Sequence, residues 1–117
     1  MEAKEIINLA ISGDIQLCTT PAVLHVTAYC LAKTYSSKKA KTIILSLMNE
    51  VRVIDCNHET ALLAMNSVME DIEDALQYYA ALTHGADIFI SSYKKLKKKA
   101  IPQLPVMTPS EFLEGEN

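Results

Sequence analysis

Glycine is scarce in this chain, and so are long apolar runs. The three glycines, Gly13, Gly85 and Gly115, stand far apart among 117 residues, so no glycine-rich loop can cradle a nucleotide phosphate. The apolar stretches extend over only a handful of residues, whereas a membrane-spanning helix needs about 20. The first residues show no basic region followed by an apolar segment of the signal-peptide kind. We therefore expect a cytoplasmic protein with no membrane partner.

Cysteine is also rare, and its pattern excludes a disulfide framework or a zinc site. Cys18, Cys30 and Cys56 cannot all pair, and their spacing to the three histidines forms no zinc-ligand pattern. We expect reduced, mostly buried thiols. Half of the residues are hydrophobic, and no segment is polar enough to be disordered. The length suits one core, so we predict a single domain over residues 1–117.

Hydrophobic periodicity predicts an alternation of helices and strands. The apolar pattern of the helix at 21–35 runs nearly all round, so we expect that helix to be largely buried. Strands that alternate with helices imply crossover connections. We therefore predict an α/β fold in three layers, with a mostly parallel sheet of about four strands between helices. Predicted helices lie at 2–12, 21–35, 38–49, 57–65, 71–84 and 108–113, and predicted strands at 15–20, 51–55, 88–91 and 104–107.

An acidic turn opens the helix predicted at 71–84. Asp71 and Asp74 are three positions apart, so their Cβ atoms lie about 5–6 Å from each other on one helix face. Two carboxylates would then face the same solvent volume, which is half of a divalent-metal site. Helix capping is the alternative role, because an aspartate at the N-cap and an acid three residues later satisfy free amides. The same residues can do both.

Lysine is concentrated at two places, 38–41 and 94–99, although the net charge is −3. The overall charge argues against a protein that coats nucleic acid without specificity, since such binding depends on many contacts between basic side chains and phosphates. A run of lysines is ordinarily a solvated loop. A phosphate-binding turn is the functional alternative for 94–99, because the run follows a predicted strand.

Together, several segments resemble the C-terminal half of a PIN domain (PilT N-terminus family) of the ribonuclease toxin type. They are Asp71-Ile72-Glu73-Asp74-Ala75-Leu76-Gln77, the Gly85-Ala86-Asp87 break with its following strand, the lysine turn, and the closing 105–113. A looser match runs back to the first residue. The resemblance implies a small α/β nuclease fold in which acidic residues at the strand ends hold Mg²⁺ or Mn²⁺. Its relatives include the endoribonucleases of toxin–antitoxin systems.

Hydrolysis of a phosphodiester needs such a cluster, because the ion requires hard oxygen ligands, activates a water and neutralises charge on the phosphate. The resemblance places the family's first acid on an opening strand that this chain lacks. It makes Asp74 and Asp71 the catalytic and metal-binding residues. The weakened site positions are Thr27, Ser91, Ser92 and Tyr93, where neutral side chains stand in or beside the places of acids.

Half a cluster should bind Mg²⁺ or Mn²⁺ weakly, so the resemblance implies a PIN-like protein with weak or no endoribonuclease activity. A non-catalytic module that binds RNA or a protein is the alternative. The absent opening strand would leave strand edges open, which favours a homo-oligomer; an upstream start that makes Met1 internal is the other explanation. An antitoxin-like protein and single-stranded RNA are the expected partners. The RNA backbone would be held by Lys94, Lys95, Lys97 and Lys98.

Overall fold

The computed structural model describes residues 2–116 and shows short parallel strands between α-helices. The elements in chain order are α1 (Glu2–Ile11), β1 (Leu17–Thr19), α2 (Pro21–Thr34), α3 (Ser37–Leu47), β2 (Val51–Val53), α4 (His58–Met65), α5 (Ile72–Thr83), β3 (Phe89–Ile90), α6 (Lys94–Lys99), β4 (Val106–Met107) and α7 (Pro109–Glu116). The predicted alternation of helices and strands is confirmed. A helix at 94–99 was not predicted.

The chain divides into two compact units. One unit is Ile7–Asp55, and the other contains the residues up to Ile6 together with those from Cys56 onward. Each unit holds one two-stranded parallel sheet, β1 with β2 and β3 with β4. The single domain over 1–117 stays a prediction.

Local capping explains where the helices of the unit Ile7–Asp55 begin. Pro21 opens α2, where its missing N–H and fixed φ are favourable, and the Thr20 hydroxyl accepts a hydrogen bond from the Val23 N–H at 3.4 Å. Ser36 caps α3 in the same way, accepting from the Lys39 N–H at 3.1 Å. Both helices lie in the crossover between β1 and β2, which pair in parallel.

Helix α2 is exposed, and our prediction of a largely buried helix is wrong. None of its residues is buried, and the side chains of Val26 and Tyr29 are 59% and 60% exposed. His25, which would suit a core position, is exposed as well. An apolar surface that runs round a helix is buried only when neighbours cover every side. Within its unit α2 packs chiefly against α3, and one neighbour covers one side.

The second unit is built around α4, α5 and the β3–β4 sheet. Asn57 and Asp71 cap α4 and α5 through side-chain hydrogen bonds, and Gly85, with a φ of 77°, follows the end of α5. Tyr78 and Leu104 are the largest fully buried side chains among the described residues. The other buried hydrophobic residues of this unit are Ile6, Ala64, Met69, Ala75, Ala80, Ala81, Leu96, Val106 and Phe112.

The strands differ from the predicted architecture in how they pair. The described strands form two separate sheets of two strands each, instead of one sheet of about four strands in a three-layer arrangement. Each strand has only two or three residues, against the usual five or six or so. Among the described strands, each has hydrogen-bonded neighbours in one sheet only. The α/β class with parallel pairing is retained.

The cysteines are free, as expected, but they are not buried. Cys18, Cys30 and Cys56 are all exposed. Cys18 occupies the outward position of β1, whose middle residue is exposed, and Cys30 lies on the exposed helix α2. Burial of these thiols would require a neighbouring layer over each unit's surface. The prediction of mostly buried thiols is therefore wrong.

Candidate functional site

The acidic turn forms the N-terminus of α5, and Asp71 is its N-cap. The Asp71 Oδ1 accepts a hydrogen bond from the Asp74 N–H at 2.9 Å. Glu73 and Asp74 lie in the first helical turn, where negative side chains interact favourably with the helix dipole. The capping interpretation of Asp71 is thus confirmed. Capping occupies one oxygen of this carboxylate.

The lysine run forms the six-residue helix α6 rather than a loop. Leu96 is only 4% exposed, and its burial holds one side of the helix against the core while the lysines face solvent. Lys97 forms an ion pair with the Glu111 carboxylate. Glu111 itself belongs to a capping box at the start of α7, in which the Thr108 N–H donates to Glu111 Oε1 at 2.9 Å and the Glu111 N–H donates to Thr108 Oγ1 at 3.2 Å.

The N-terminus of α5 and helix α6 border one open depression of about 650 Å³, which we call the cleft. Carboxylates come from the α5 side and ammonium groups from the α6 side. An aromatic ring and two apolar side chains complete the lining. The lining residues are Met69, Glu70, Asp71, Asp74, Tyr93, Lys95, Leu96, Lys98 and Lys99.

Several residues singled out from the sequence meet in the cleft. Asp71 and Asp74 line it together with Lys95, Lys98 and Tyr93. The structure thus places the expected acidic pair beside two of the four lysines expected to hold RNA. It also places one of the weakened positions, Tyr93, at the same cleft.

Other predicted site residues lie elsewhere. Lys94 and Ser92 are exposed but do not line the cleft, and Lys97 is engaged with Glu111. The Ser91 hydroxyl accepts a hydrogen bond from the Tyr93 N–H at 3.1 Å, which is a local turn contact. Thr27 belongs to the other unit, where its hydroxyl donates to the Val23 carbonyl at 2.8 Å.

Two charged residues of the cleft, Glu70 and Lys99, were not among the named site residues, although Lys99 belongs to the lysine run at 94–99. Lys95, Lys98 and Lys99 are spaced as i, i+3 and i+4, the spacing of one helix face. The signal was therefore present in the sequence, but it becomes visible only when 94–99 is interpreted as a helix. Glu70 directly precedes the helix cap and gave no periodic signal.

Three carboxylates and three ammonium groups line the cleft, so the charges are equal in number but come from different elements. Partial burial raises the pKa of Asp74, and the nearby carboxylates of Asp71 and Glu73 raise it further. The Tyr93 side chain is 67% exposed, so most of its ring is accessible beside the lysines. The arrangement offers cations and an aromatic face to a ligand along one side, with repelling carboxylates on the other.

The residues present do not fit a complete Mg²⁺ or Mn²⁺ site. Among the side chains that the structure describes, at residues 4–115, no three of His, Cys, Asp or Glu are placed so that they share a metal ion. Asp71 uses one oxygen for its cap, and magnesium demands near-octahedral oxygen coordination while shedding its waters reluctantly. The expected metal role of Asp71 and Asp74 stays a prediction.

A comparison with family models identifies the family. Residues 1–95 match the model of the PIN domain. The chain belongs to the PIN domain family. The match covers most of the chain and ends inside α6, so it includes the acidic side of the cleft and the first lysines. The predicted PIN resemblance is confirmed, whereas the ribonuclease toxin type and the missing opening strand stay predictions. No curated protein and no solved structure gives a significant match.

Membership of the PIN domain family makes this a nuclease-like protein. PIN domains generally use divalent metals. In the part of the chain that the structure describes, no helix is long and apolar enough to cross a membrane. The cytoplasmic location stays a prediction.

Proposed function

We propose that this PIN domain binds single-stranded RNA in the cleft and cleaves it weakly or not at all. The observation that carries the proposal is the meeting of Lys95, Lys98 and Lys99 with Tyr93 at one accessible depression. Phosphate contacts from lysines supply sequence-independent affinity for nucleic acid. An exposed aromatic ring beside them provides a surface on which an unpaired base stacks.

Binding without efficient cleavage follows from the acidic side. Asp71 and Asp74 are the two carboxylates in the predicted positions, and their number is too small to neutralise a metal ion and the charge that develops on phosphate. Without that ion, the carboxylates repel the RNA backbone and limit its affinity. The protein is in this proposal a degenerate relative of the toxin–antitoxin endoribonucleases.

Binding in the absence of metal provides the first test. Fluorescence anisotropy of a labelled oligouridylate is measured in EDTA over a range of salt concentrations. We expect the affinity of the native chain to fall steeply with salt concentration. The slope of the logarithm of the binding constant against the logarithm of the salt concentration, called the salt slope, should become shallower by about 0.7 for each phosphate contact removed in Lys95→Gln/Lys98→Gln. Lys94→Gln is the matched control, because Lys94 is exposed on the same helix but does not line the cleft. Equal affinities and equal salt slopes in Lys95→Gln/Lys98→Gln and Lys94→Gln would overturn the proposed site.

Hydrolysis provides the second test. Single-stranded RNA is incubated with the protein and added Mn²⁺, and cleavage is followed for the native chain and for Asp74→Asn. We expect little or no cleavage, with no difference between the two proteins. Efficient Mn²⁺-dependent cleavage that Asp74→Asn abolishes would refute the degenerate site and restore Asp71 and Asp74 as metal ligands.

A second candidate function is protein binding, either to an antitoxin-like protein or to a second copy. An exposed apolar surface favours it: the side chains of Leu62, Leu63, Met65 and Val68 on and after α4 are each at least half exposed. Exposed apolar patches of this kind mark interaction sites. Sedimentation of the native chain and of Leu62→Asp/Met65→Asp would show a self-associated species that the substitutions dissociate. A native monomer at micromolar concentration would count against the homo-oligomer.

A further inference from the structure

The unit Ile7–Asp55 has a charge pattern unlike that of the rest of the chain. Between Asp14 and Glu50 the sequence contains four lysines and not one of the fourteen acidic residues. This segment spans β1, α2 and α3. A chain with a net charge of −3 therefore includes a purely cationic segment, whose lysines are Lys33, Lys38, Lys39 and Lys41.

Two exposed tyrosines accompany these lysines in a repeated arrangement. The Lys33 Nζ lies 5.1 Å from the centre of the Tyr29 ring, and the Lys39 Nζ lies 4.7 Å from the centre of the Tyr35 ring. Tyr29 and Tyr35 are 60% and 52% exposed. Each pair spans four positions, and the second bridges the end of α2 and the start of α3. We call Tyr29, Lys33, Tyr35, Lys38, Lys39 and Lys41 the tyrosine–lysine surface.

The dipole of α3 does not explain the lysines at its start. Lys38 and Lys39 stand in the first turn of α3, which contains no acidic residue, and cations near a helix N-terminus interact unfavourably with its dipole. The exposed tyrosine rings also keep apolar surface in contact with water, which is less favourable than burying it. A bound polyanion relieves both penalties, because it neutralises the lysines and covers the rings.

We propose that the tyrosine–lysine surface of α2 and α3 binds single-stranded nucleic acid. Unpaired bases stack on Tyr29 and Tyr35, and the lysines contact the phosphates between them. An acidic peptide would satisfy the lysines, but its carboxylates do not stack on the rings, whereas each nucleotide supplies a phosphate together with a base that does. An anionic membrane would require one segregated apolar face, whereas the apolar residues of α2 run nearly all round. The proposal uses none of the cleft residues and does not depend on the proposed function of the cleft.

The test uses the full chain and two labelled probes, an oligouridylate and an oligodeoxythymidylate, in EDTA. For Tyr29→Ala/Tyr35→Ala we expect affinity for at least one probe to fall by roughly 5- to 150-fold for each stacked base. Tyr29→Phe/Tyr35→Phe should bind like the native protein, because the ring is retained. The comparison of the two probes shows whether the surface binds RNA or DNA more tightly.

The lysines are tested by Lys38→Gln/Lys39→Gln/Lys41→Gln, which should lower the salt slope by about 0.7 for each lost phosphate contact. The corresponding arginine variant should restore the slope. Lys4→Gln is the control, since Lys4 is an exposed lysine of α1 outside the acid-free segment. Thermal unfolding of every variant verifies the fold.

Unchanged affinity and slope in the alanine and glutamine variants would overturn the proposal. The proposal would also be overturned if the alanine and glutamine variants lost the native chain's binding to anionic phospholipid vesicles but bound both oligonucleotides like the native chain. That result would indicate a membrane-binding surface. The cleft is tested separately by Lys95→Gln/Lys98→Gln. If that variant binds like the native chain while the tyrosine variant does not, the cleft proposal fails and this one stands.

Discussion

The Tyr78 hydroxyl donates a hydrogen bond to the Leu104 carbonyl oxygen at 2.5 Å, and both residues are fully buried. The same hydroxyl accepts a hydrogen bond from the Ile101 N–H at 2.9 Å. Tyr78 lies one turn after Asp74 on α5, while Ile101 and Leu104 follow the lysine helix α6. This side chain therefore ties the helix that supplies the cleft's carboxylates to the segment that follows its lysines.

Replacement of Tyr78 by phenylalanine should destabilise the fold by about 1–3 kcal/mol, because a buried carbonyl and an amide lose their partner. The free energy of unfolding is measured by chemical denaturation. Tyr93→Phe is the matched control: it makes the same chemical change at an exposed position, where about 0.5 kcal/mol or less is expected. Equal stabilities of the two variants would contradict the role assigned to the buried hydroxyl.

The cap of α5 leads to a second prediction. Asp71→Ala should lower the free energy of unfolding by about 0.5–2 kcal/mol, because the Asp74 N–H loses its acceptor. Asp71→Asn should change it little, since asparagine is an equally good N-cap. Denaturation curves of the two variants separate the cap from the charge. A large loss in Asp71→Asn would show that the negative charge matters more than the hydrogen bond.

The contact between Lys97 and Glu111 predicts that the stability of the folded protein depends on pH. The hydrogen bond from Lys97 and that from the Thr108 N–H hold the pKa of Glu111 below its ordinary value of 4.5. A lowered pKa in the folded state means that the stabilisation is complete above the unfolded pKa and disappears as the pH falls through the folded value. In Lys97→Gln the pKa of Glu111 should rise, as measured by NMR titration of its side-chain carboxyl. Lys94→Gln, on the same helix, should leave that pKa unchanged.

Asp74 provides a prediction that separates repulsion from metal binding. If its carboxylate only opposes the phosphates, Asp74→Asn should tighten RNA binding in EDTA by about two- to five-fold at low salt. Asp87→Asn is the control, because Asp87 is exposed but does not line the cleft. Anisotropy titrations measure both. Unchanged affinity in Asp74→Asn would mean that the RNA does not pass near this carboxylate.

The helix starts could be predicted because capping is local. Ser36, Asn57 and Asp71 each accept a hydrogen bond from an amide three residues later, so the signal lies within four consecutive residues. Helix α6 could not be predicted in this way. Its lysines repel one another at helical spacing, and the burial of Leu96 against the core compensates for that only once the chain has folded.

Exposure was the least predictable property. The composition of α2 favours burial, yet Val26 and Tyr29 face solvent, because coverage depends on which elements pack beside the helix. The same limitation applies to the cleft. Asp74 and Lys98 are separated by many residues in the chain, and nothing in their local sequence indicates that they line one depression.

The sequence by itself determined the PIN family, the order of the helices and strands other than α6, and the caps that start α3, α4 and α5. Those features depend on motifs and on hydrogen bonds between residues three or four positions apart. The tertiary structure decided which lysines join the acidic turn, which apolar faces stay in water and how the strands pair. Burial and charge proximity arise from contacts between distant parts of the chain, and local sequence does not contain them.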